Sequence, residues 1–283
     1  MEISAKIVAD SISSSGVRIT TMELCYHRFI HSEFMTHRMF SRNSSSSRAI
    51  PVGKMLKQVK ENPAIPIFWG KNQPGMQAKD NLSGTYLEEA KESWYYAAHQ
   101  MSKRAGELTN LDLHKQITNR LLEPFQWIKV IVTATEWDNF FKLRLHPDAQ
   151  PEICFLAKTM KEVMDSSSPV ILEHSEWHLP YVVAEDCLKT TTDNFVKLSV
   201  ARCARVSYLN HDNSTPDVAK DIALADKLLE AGHMSCFEHQ ATPMKVLNEV
   251  LSDITWENGI THVDKYDEFW SNNFRGWLQY RAM

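Results

Sequence analysis

The segment 36–48 combines two side-chain types that suit phosphate binding. It reads Thr-His-Arg-Met-Phe-Ser-Arg-Asn-Ser-Ser-Ser-Ser-Arg, with three arginines, five serines and no acidic residue. Arginine presents a planar fork of donors that matches phosphate oxygens, and serine adds short hydroxyls and accessible backbone N–H groups. On composition alone, a solvated and flexible serine-rich loop is the simpler interpretation. A loop of this kind, leaving a helix, nevertheless has the groups that a nucleotide-sized anion needs.

Two further groups of polar residues follow along the chain. The middle group has Arg120 ahead of Leu-Leu-Glu-Pro, then a β-branched segment, then Asn-Phe-Phe-Lys-Leu-Arg from Asn139 to Arg144 and Ala-Gln at 149–150. The last group reads Ala-Arg-Val-Ser at 204–207 and Gly-His-Met-Ser-Cys-Phe-Glu-His at 232–239. For Arg120 the simpler interpretation is a cation at a helix C-terminus, where the helix dipole favours it.

The three groups resemble the motifs of the flavin-dependent thymidylate synthases (ThyX-type). The family signature is Arg-His-Arg, two residues, Ser, one residue, Asn, two residues, Ser, one residue, Arg. It matches in register at six positions, which are His37, Arg38, Ser41, Asn43, Ser46 and Arg48. The chain departs from the pattern at Thr36, where the family has arginine, at Ser44, commonly glutamate, and at Ala49, commonly tyrosine.

The order of the motifs differs from that of the family. There the Ala-Arg-Val-Ser and Gly-His-x-Ser blocks precede the signature, whereas here they follow it, as in a circular permutation. Segment 273–281 also resembles the helix that leads into the signature in the family. We therefore expect 1–283 to form one ThyX-like unit. An internal repeat, with halves at about 1–165 and 190–283, is left open.

The resemblance implies an α+β fold with a mainly antiparallel sheet and long flanking helices, assembled as a homotetramer with sites shared between chains. It implies that dUMP is methylated at carbon 5 to dTMP, with FAD as cofactor and with methylenetetrahydrofolate and NADPH as co-substrates. The residues that would bind dUMP are Ser44, Ser45, Ser46, Ser47, Arg48, Arg120 and Arg144. The catalytic group would comprise Arg144, Arg120 and His233. Those that would bind FAD are His37, Arg38, Ser41, Asn43, Asn139, Ser207, Ser235 and Glu238.

Several alternatives remain open at this stage. The departures at Thr36 and Ser44 allow a ThyX-like hydroxymethylase, an enzyme directed at dCMP, or an inactive homologue that binds flavin or nucleotide. Ser46 as a covalent nucleophile is disfavoured because no histidine partner is evident, and phosphate binding is the preferred role. The two blocks could meet between chains, as in the family, or within one chain if the permutation has placed them in the same site.

Composition excludes several other classes of protein. The chain has 283 residues and a formal net charge of −4, which argues against general binding to nucleic acid. No apolar run approaches the ~20 residues that span a bilayer, and the start lacks the pattern of a signal peptide, so a cytoplasmic location is expected. The five cysteines form no Cys-x-x-Cys pair, and His174 and His178 lack a third ligand, so no metal site is expected. The Gly-x-Gly-x-x-Gly fingerprint is also absent.

Hydrophobic periodicity predicts the elements that position these groups. Alternation predicts strands over 3–9 and 17–26, joined at a Ser-Ser-Ser-Gly turn, and a buried strand over 127–135. Helices are predicted over 29–39, from Thr85 to about 108, after a cap at Asp112, over 136–145, after a cap at Asp148, from about 193, and from 214 until Gly232. The segment 62–83, rich in Pro, Gly, Asn and Lys, is predicted to be a long excursion or lid.

Overall fold

A computed structural model describes residues 1–191, 194–206, 214, 217–245 and 256–283. Its main sheet has five strands in the order β3-β4-β2-β1-β5. The strands are β1 (Ser4–Ser13), β2 (Arg18–His27), β3 (Ser41–Ser44), β4 (Trp127–Ala134) and β5 (Val170–Leu172). Neighbours pair antiparallel except β1 and β5, which are parallel. The predicted hairpin of β1 and β2 is confirmed, and it turns through Gly16 at a φ of 85°.

Helices flank this sheet, so the α+β expectation is confirmed. They are α1 (His31–Phe34), α2 (Val52–Glu61), α3 (Thr85–Asn110), α4 (Lys115–Thr118), α5 (Asp138–Arg144), α6 (Pro151–Asp165), α7 (Phe195–Arg205) and α8 (Val218–Glu230). Short 3₁₀ helices cover Arg28–Ile30, Asn119–Phe125, Ala184–Leu188, Met234–Glu238 and Tyr280–Ala282. Within the described ranges, no helix is both long and apolar enough to cross a bilayer.

Strand β4 is covered on both faces of the sheet. Val130 and Val132 face a core that includes Phe34, Phe140 and Leu156, so α6 and the segment before β3 cover that side. Ile131 faces the other side, in a cluster with Cys203 of α7. Because side chains alternate along a strand, a continuous apolar segment such as β4 must be buried on both faces.

The opposite face also carries a buried chain of polar side chains. His178 bonds to Ser11 Oγ at 2.9 Å and to Thr21 Oγ1 at 2.8 Å. Thr21 Oγ1 lies 2.7 Å from Thr133 Oγ1, which lies 2.8 Å from His239 Nδ1. Burial lowers the pKa of both histidines to about 3, so both rings are neutral. The chain ties β1, β2 and β4 to the C-terminal part of the protein.

The C-terminal segment forms small sheets, and the helix predicted by resemblance over 273–281 is wrong. Strand β6 (Ala241–Pro243) pairs with β10 (Trp277–Gln279), while β7 (His262–Val263), β8 (Phe269–Ser271) and β9 (Phe274–Arg275) form a second ladder. Gly276 separates β9 from β10 at a φ of 70°, which interrupts a helix. A Cβ at Gly276 would also lie 3.0 Å from Val17 Cγ2.

Three predicted helix starts or lengths also differ from the structure. The helix over 29–39 is reduced to one 3₁₀ turn and the short α1, and Arg42 donates to the free carbonyl of Met35 at 3.0 Å. Asp112 adopts a φ of 60° and caps nothing, because His114 Nδ1 accepts from Gln116 N and caps α4. Asp148 is likewise not a cap, since α6 begins with Pro151 at its first position.

Candidate functional site

The signature segment is divided between a strand and a turn, so the prediction of a single loop is wrong. Strand β3 lies at the edge of the sheet and pairs antiparallel with β4, with Ser41 opposite Thr133 and Ser44 opposite Val130. Ser45 extends the pairing of this segment with β4, since its backbone N–H donates to Lys129 O at 2.8 Å. The chain then turns, and Ala49 N donates to Ser46 O at 3.0 Å. The sheet therefore holds one half of the signature and leaves the serine turn at its end.

A cleft lined by both polar and apolar side chains lies immediately before β3. It has a volume of about 340 Å³ and lies between segment 36–40 and α5. Four residues predicted for the site line it together, namely His37, Arg38, Asn139 and Arg144. Glu136 also lines the cleft and was missed from the sequence, where only its place at the end of a buried strand could have suggested it.

Arg144 and His37 are in direct contact in this cleft. Arg144 Nε donates to His37 Nε2 at 2.8 Å, and the same guanidinium forms an ion pair with Glu33. The imidazole packs edge-on against Phe140, with ring centroids 4.8 Å apart. Burial, then the charges of Arg144 and Arg42, lower the pKa of His37 to about 4. The ring is therefore neutral near pH 7, and its Nδ1 carries the proton because Nε2 accepts.

A second cluster fixes the serine turn. Asn119 Nδ2 donates to Ser47 O at 2.7 Å and to Ile50 O at 3.0 Å. Glu123 Oε1 accepts from Ser47 Oγ at 3.1 Å, and it also accepts from two guanidinium groups, those of Arg28 at 2.9 Å and Arg120 at 2.7 Å. Ser44, Ser46 and Arg48 are exposed beside this cluster. The turn is thus held by its backbone, by Ser45 Oγ, which accepts from Lys129 N at 3.2 Å, and by Ser47, while Ser46 and Arg48 are exposed.

The two arginines assigned to the uracil lie in different clusters. Arg144 lines the cleft and contacts His37, whereas Arg120 pairs with Glu123 and does not line the cleft. The described residues of one chain therefore do not bring these guanidinium groups into one pocket. Arg120 stands near the start of the 3₁₀ helix Asn119–Phe125, so the interpretation of a cation at a helix C-terminus also differs from the structure.

Residues of β3 contact the C-terminal motif within the same chain. Ser41 Oγ accepts from Gln279 Nε2 and from Asn273 Nδ2, both at 3.1 Å. Gln279 Nε2 also donates to Glu238 O at 3.1 Å, so one amide joins the signature strand to the Phe-Glu-His segment. Asn43 Nδ2 donates to Cys203 O at 3.4 Å. This is the within-chain arrangement left open above for these two segments, and a contact with a second chain stays a prediction.

The other predicted residues that the structure describes lie outside the cleft. His233 and Ser235 are exposed at the start of the 3₁₀ helix Met234–Glu238, after Gly232 ends α8 at a φ of 69°. The carboxylate of Glu238 forms an ion pair with Arg281. Ser207 falls outside the described residues. Among those described, no group of three His, Cys, Asp or Glu residues could hold a metal ion.

Two features define the class of protein. The first is a mainly antiparallel α+β fold, and the second is a cleft between segment 36–40 of the signature and α5. A sequence profile described as thymidylate synthase complementing protein (Thy1) matches residues 17–170, more than half of the chain. The chain belongs to this family, that of the flavin-dependent thymidylate synthases. The match contains the signature and the middle motif, and the blocks at 204–207 and 232–239 lie beyond it, so the permuted order stays a prediction.

One solved structure supports this fold, and a second structure of the same protein was also matched. A crystal structure of the UMP/dUMP methylase PolB from Streptomyces cacaoi, bound with 5-bromo-UMP, is 17% identical and gives a TM-score of 0.51. The similarity covers 60% of this chain and 90% of that chain. The same methylase bound with 5-bromo-dUMP is 16% identical over 60% and 91% of the two chains, with a TM-score of 0.49. A comparison with curated proteins found no significant match.

Proposed function

We propose that this chain transfers a one-carbon unit from methylenetetrahydrofolate to carbon 5 of dUMP, giving dTMP, with FAD as cofactor and NADPH as reductant. One observation carries the proposal. Side chains from two separate family motifs, His37 and Arg38 from the signature and Asn139 and Arg144 from the middle motif, line one cleft. Polar residues distant in sequence have little reason to converge on a cleft unless they bind a ligand there.

The cleft suits part of a flavin dinucleotide. Its volume of about 340 Å³ is at the small end of ligand pockets, so it accommodates one portion of FAD rather than the whole molecule. Arg38 supplies cationic donors for phosphate or ring oxygens of the flavin, and Asn139 supplies an amide. When bound, the flavin supplies the hydride and carries the carbon. Ser41, Asn43 and Glu238 already form bonds within the chain, so we propose that they shape the wall of the site.

The residues of this chain would orient the nucleotide. Arg48 is exposed at the serine turn and would bind the phosphate together with Ser44, Ser45, Ser46 and Ser47. Arg144 is held by Glu33 and His37, which restricts its rotation and directs the remaining N–H groups toward the cleft. A donor held in this way stabilises charge that develops on a uracil carbonyl, at little cost in reorganisation.

We propose that sites are shared between chains, because Arg120 and Arg144 lie in different clusters of one chain. A uracil that contacts both guanidinium groups would then take them from different chains, which accords with the homotetramer implied by the family. We further propose that His233, exposed at the start of its 3₁₀ helix, borders the place where folate or nicotinamide meets the flavin. The chain would act as one ThyX-like unit, and no contact with nucleic acid or membrane is proposed.

The visible spectrum of the purified protein and the mass of its nucleotide product test this proposal. We expect the absorbance of a flavin, released as FAD on denaturation, and conversion of dUMP to dTMP in the presence of methylenetetrahydrofolate and NADPH. A product 16 mass units heavier than dTMP would carry a hydroxymethyl group in place of the methyl group and would identify a hydroxymethylase. Turnover of dCMP or UMP but not of dUMP would show that the enzyme acts on a different nucleotide from the one proposed. A yellow protein that binds dUMP without turnover would be an inactive homologue, and a colourless protein that binds no FAD would contradict the proposal.

A further inference from the structure

Glu123 is the one carboxylate bonded to the serine turn among the described residues. Its Oε1 accepts from Ser47 Oγ, Arg28 and Arg120 at 3.1, 2.9 and 2.7 Å. Three donors, two of them cationic, thus converge on a single anionic oxygen. Such a set is the usual surrounding of a bound phosphate oxygen.

The charges around the turn exceed what this carboxylate can neutralise. Arg28, Arg48 and Arg120 are joined by Lys115, whose Nζ donates to Ala49 O at 3.0 Å. One carboxylate therefore accompanies four cations at the turn, and it contacts two of them, Arg28 and Arg120. Like charges held close together are destabilising unless an anion lies between them, so the cluster has capacity for a second anion.

Glu123 is also accessible and able to move. Its side chain is 26% exposed, and that of Arg120 is 51% exposed. The next residue is Pro124, which restricts the backbone of Glu123, so a displacement would occur by rotation of the side chain.

We propose that the Glu123 carboxylate occupies a phosphate-binding site in the free protein and that a nucleotide phosphate displaces it. Arg28 and Lys115 then bind the phosphate together with Arg48. A phosphate dianion offers three oxygens and up to two charges to donors that now share one carboxylate oxygen. This inference rests on the proposed function only in taking the phosphate to be that of a nucleotide. Glu123 then sets how strongly the site prefers phosphorylated nucleotides, because the phosphate must compete with it.

Isothermal titration of the full-length protein with dUMP and with deoxyuridine, at fixed ionic strength, tests the inference. Glu123→Gln keeps the shape of the side chain and removes its charge. We expect this variant to bind dUMP about fivefold more tightly, the equivalent of losing about 1 kcal/mol of competing charge interaction. Deoxyuridine lacks the phosphate, so its affinity should be unchanged. Glu107→Gln makes the same charge change at an exposed ion pair on α3 and should alter neither affinity.

Lys115→Gln supplies a second measurement if Glu123→Gln does not fold. It should weaken dUMP binding severalfold and leave deoxyuridine binding unchanged. Unchanged or weaker dUMP binding by folded Glu123→Gln would overturn the inference, because Glu123 would then only position the turn. If the wild type binds no dUMP, the proposed function fails instead. Titration with inorganic pyrophosphate then decides whether the turn still binds anions in competition with Glu123.

Discussion

Arg144 donates from Nε to His37 Nε2 at 2.8 Å, which links the end of α5 to the start of the signature. The neutral imidazole accepts this bond only while Nε2 is unprotonated, so the contact depends on the lowered pKa of His37. Glu33 holds the same guanidinium from another side. Arg144 is therefore fixed at the cleft before any substrate arrives.

We expect Arg144→Ala to lower kcat by about 10–100-fold, since a charge-assisted hydrogen bond is worth ~1.5–3 kcal/mol and this one strengthens as charge develops on the uracil. Steady-state kinetics at saturating dUMP measures this effect, and the flavin spectrum should persist as a control for folding. A variant with normal kcat and only weaker dUMP binding would show that Arg144 binds the ground state.

Arg48→Ala should have the complementary effect. Arg48 would bind the phosphate, which is remote from the reacting carbon. Loss of the Arg48 side chain should therefore weaken dUMP binding about tenfold or more and leave kcat at saturation nearly unchanged. Binding and turnover are measured separately, by titration and by product formation. Arg104→Ala, an exposed arginine paired with Glu107, is the matched control and should change neither quantity. Equal losses of kcat from Arg48→Ala and Arg144→Ala would contradict the division of roles.

Mixing two impaired variants tests whether sites are shared. If Arg120 and Arg144 reach one uracil from different chains, random exchange of Arg120→Ala and Arg144→Ala subunits restores both residues in about a quarter of the sites. Recovered activity should approach that fraction. Native mass spectrometry of differently tagged chains confirms the exchange independently. Proven mixed oligomers without recovered activity would contradict a site that takes Arg120 and Arg144 from different chains.

Stability should fall as the pH is lowered from about 6.5 toward 4. Burial lowers the pKa of His31 and of His37 to about 4, and that of His178 and of His239 to about 3. Between these values and the ordinary pKa of 6.5, the unfolded chain binds more protons than the folded one, so protons favour unfolding. Each such histidine adds about 1.4 kcal/mol per pH unit to the slope of the free energy of unfolding against pH. Urea unfolding at several pH values should show a slope for His37→Gln that is smaller by about that amount.

No cysteine should act as the nucleophile. Burial raises the pKa of Cys25 and of Cys236 to about 11, and it raises that of Cys203 further, so these thiols are protonated near pH 7. Each cysteine changed to alanine should therefore retain dUMP-dependent turnover, as measured by tritium release from 5-tritiated dUMP. Complete loss of turnover in one folded variant that still holds FAD would indicate the cysteine mechanism of classical thymidylate synthases.

The sequence alone was sufficient for the family, the first hairpin, β4, and the long helices α3 and α6. These elements have strong local periodicity, and their apolar residues specify which faces are buried. Motif residues such as His37, Arg38, Asn139 and Arg144 could be selected because their order along the chain matches a family pattern. Their convergence on one cleft is a finding of the tertiary structure.

Only the tertiary structure decided what the motif residues contact. Ser41–Ser44 became a strand because β4 offered an unpaired edge, and backbone pairing of that kind depends on a partner about ninety residues away. The segment 273–281 formed strands because Gly276 turns the chain and β10 pairs with β6. Glu123 was not among the residues selected from the sequence, and its contacts with Ser47 and Arg28 are long-range. Spacing along the chain predicts local geometry, whereas the charges that meet at a turn depend on how distant segments pack.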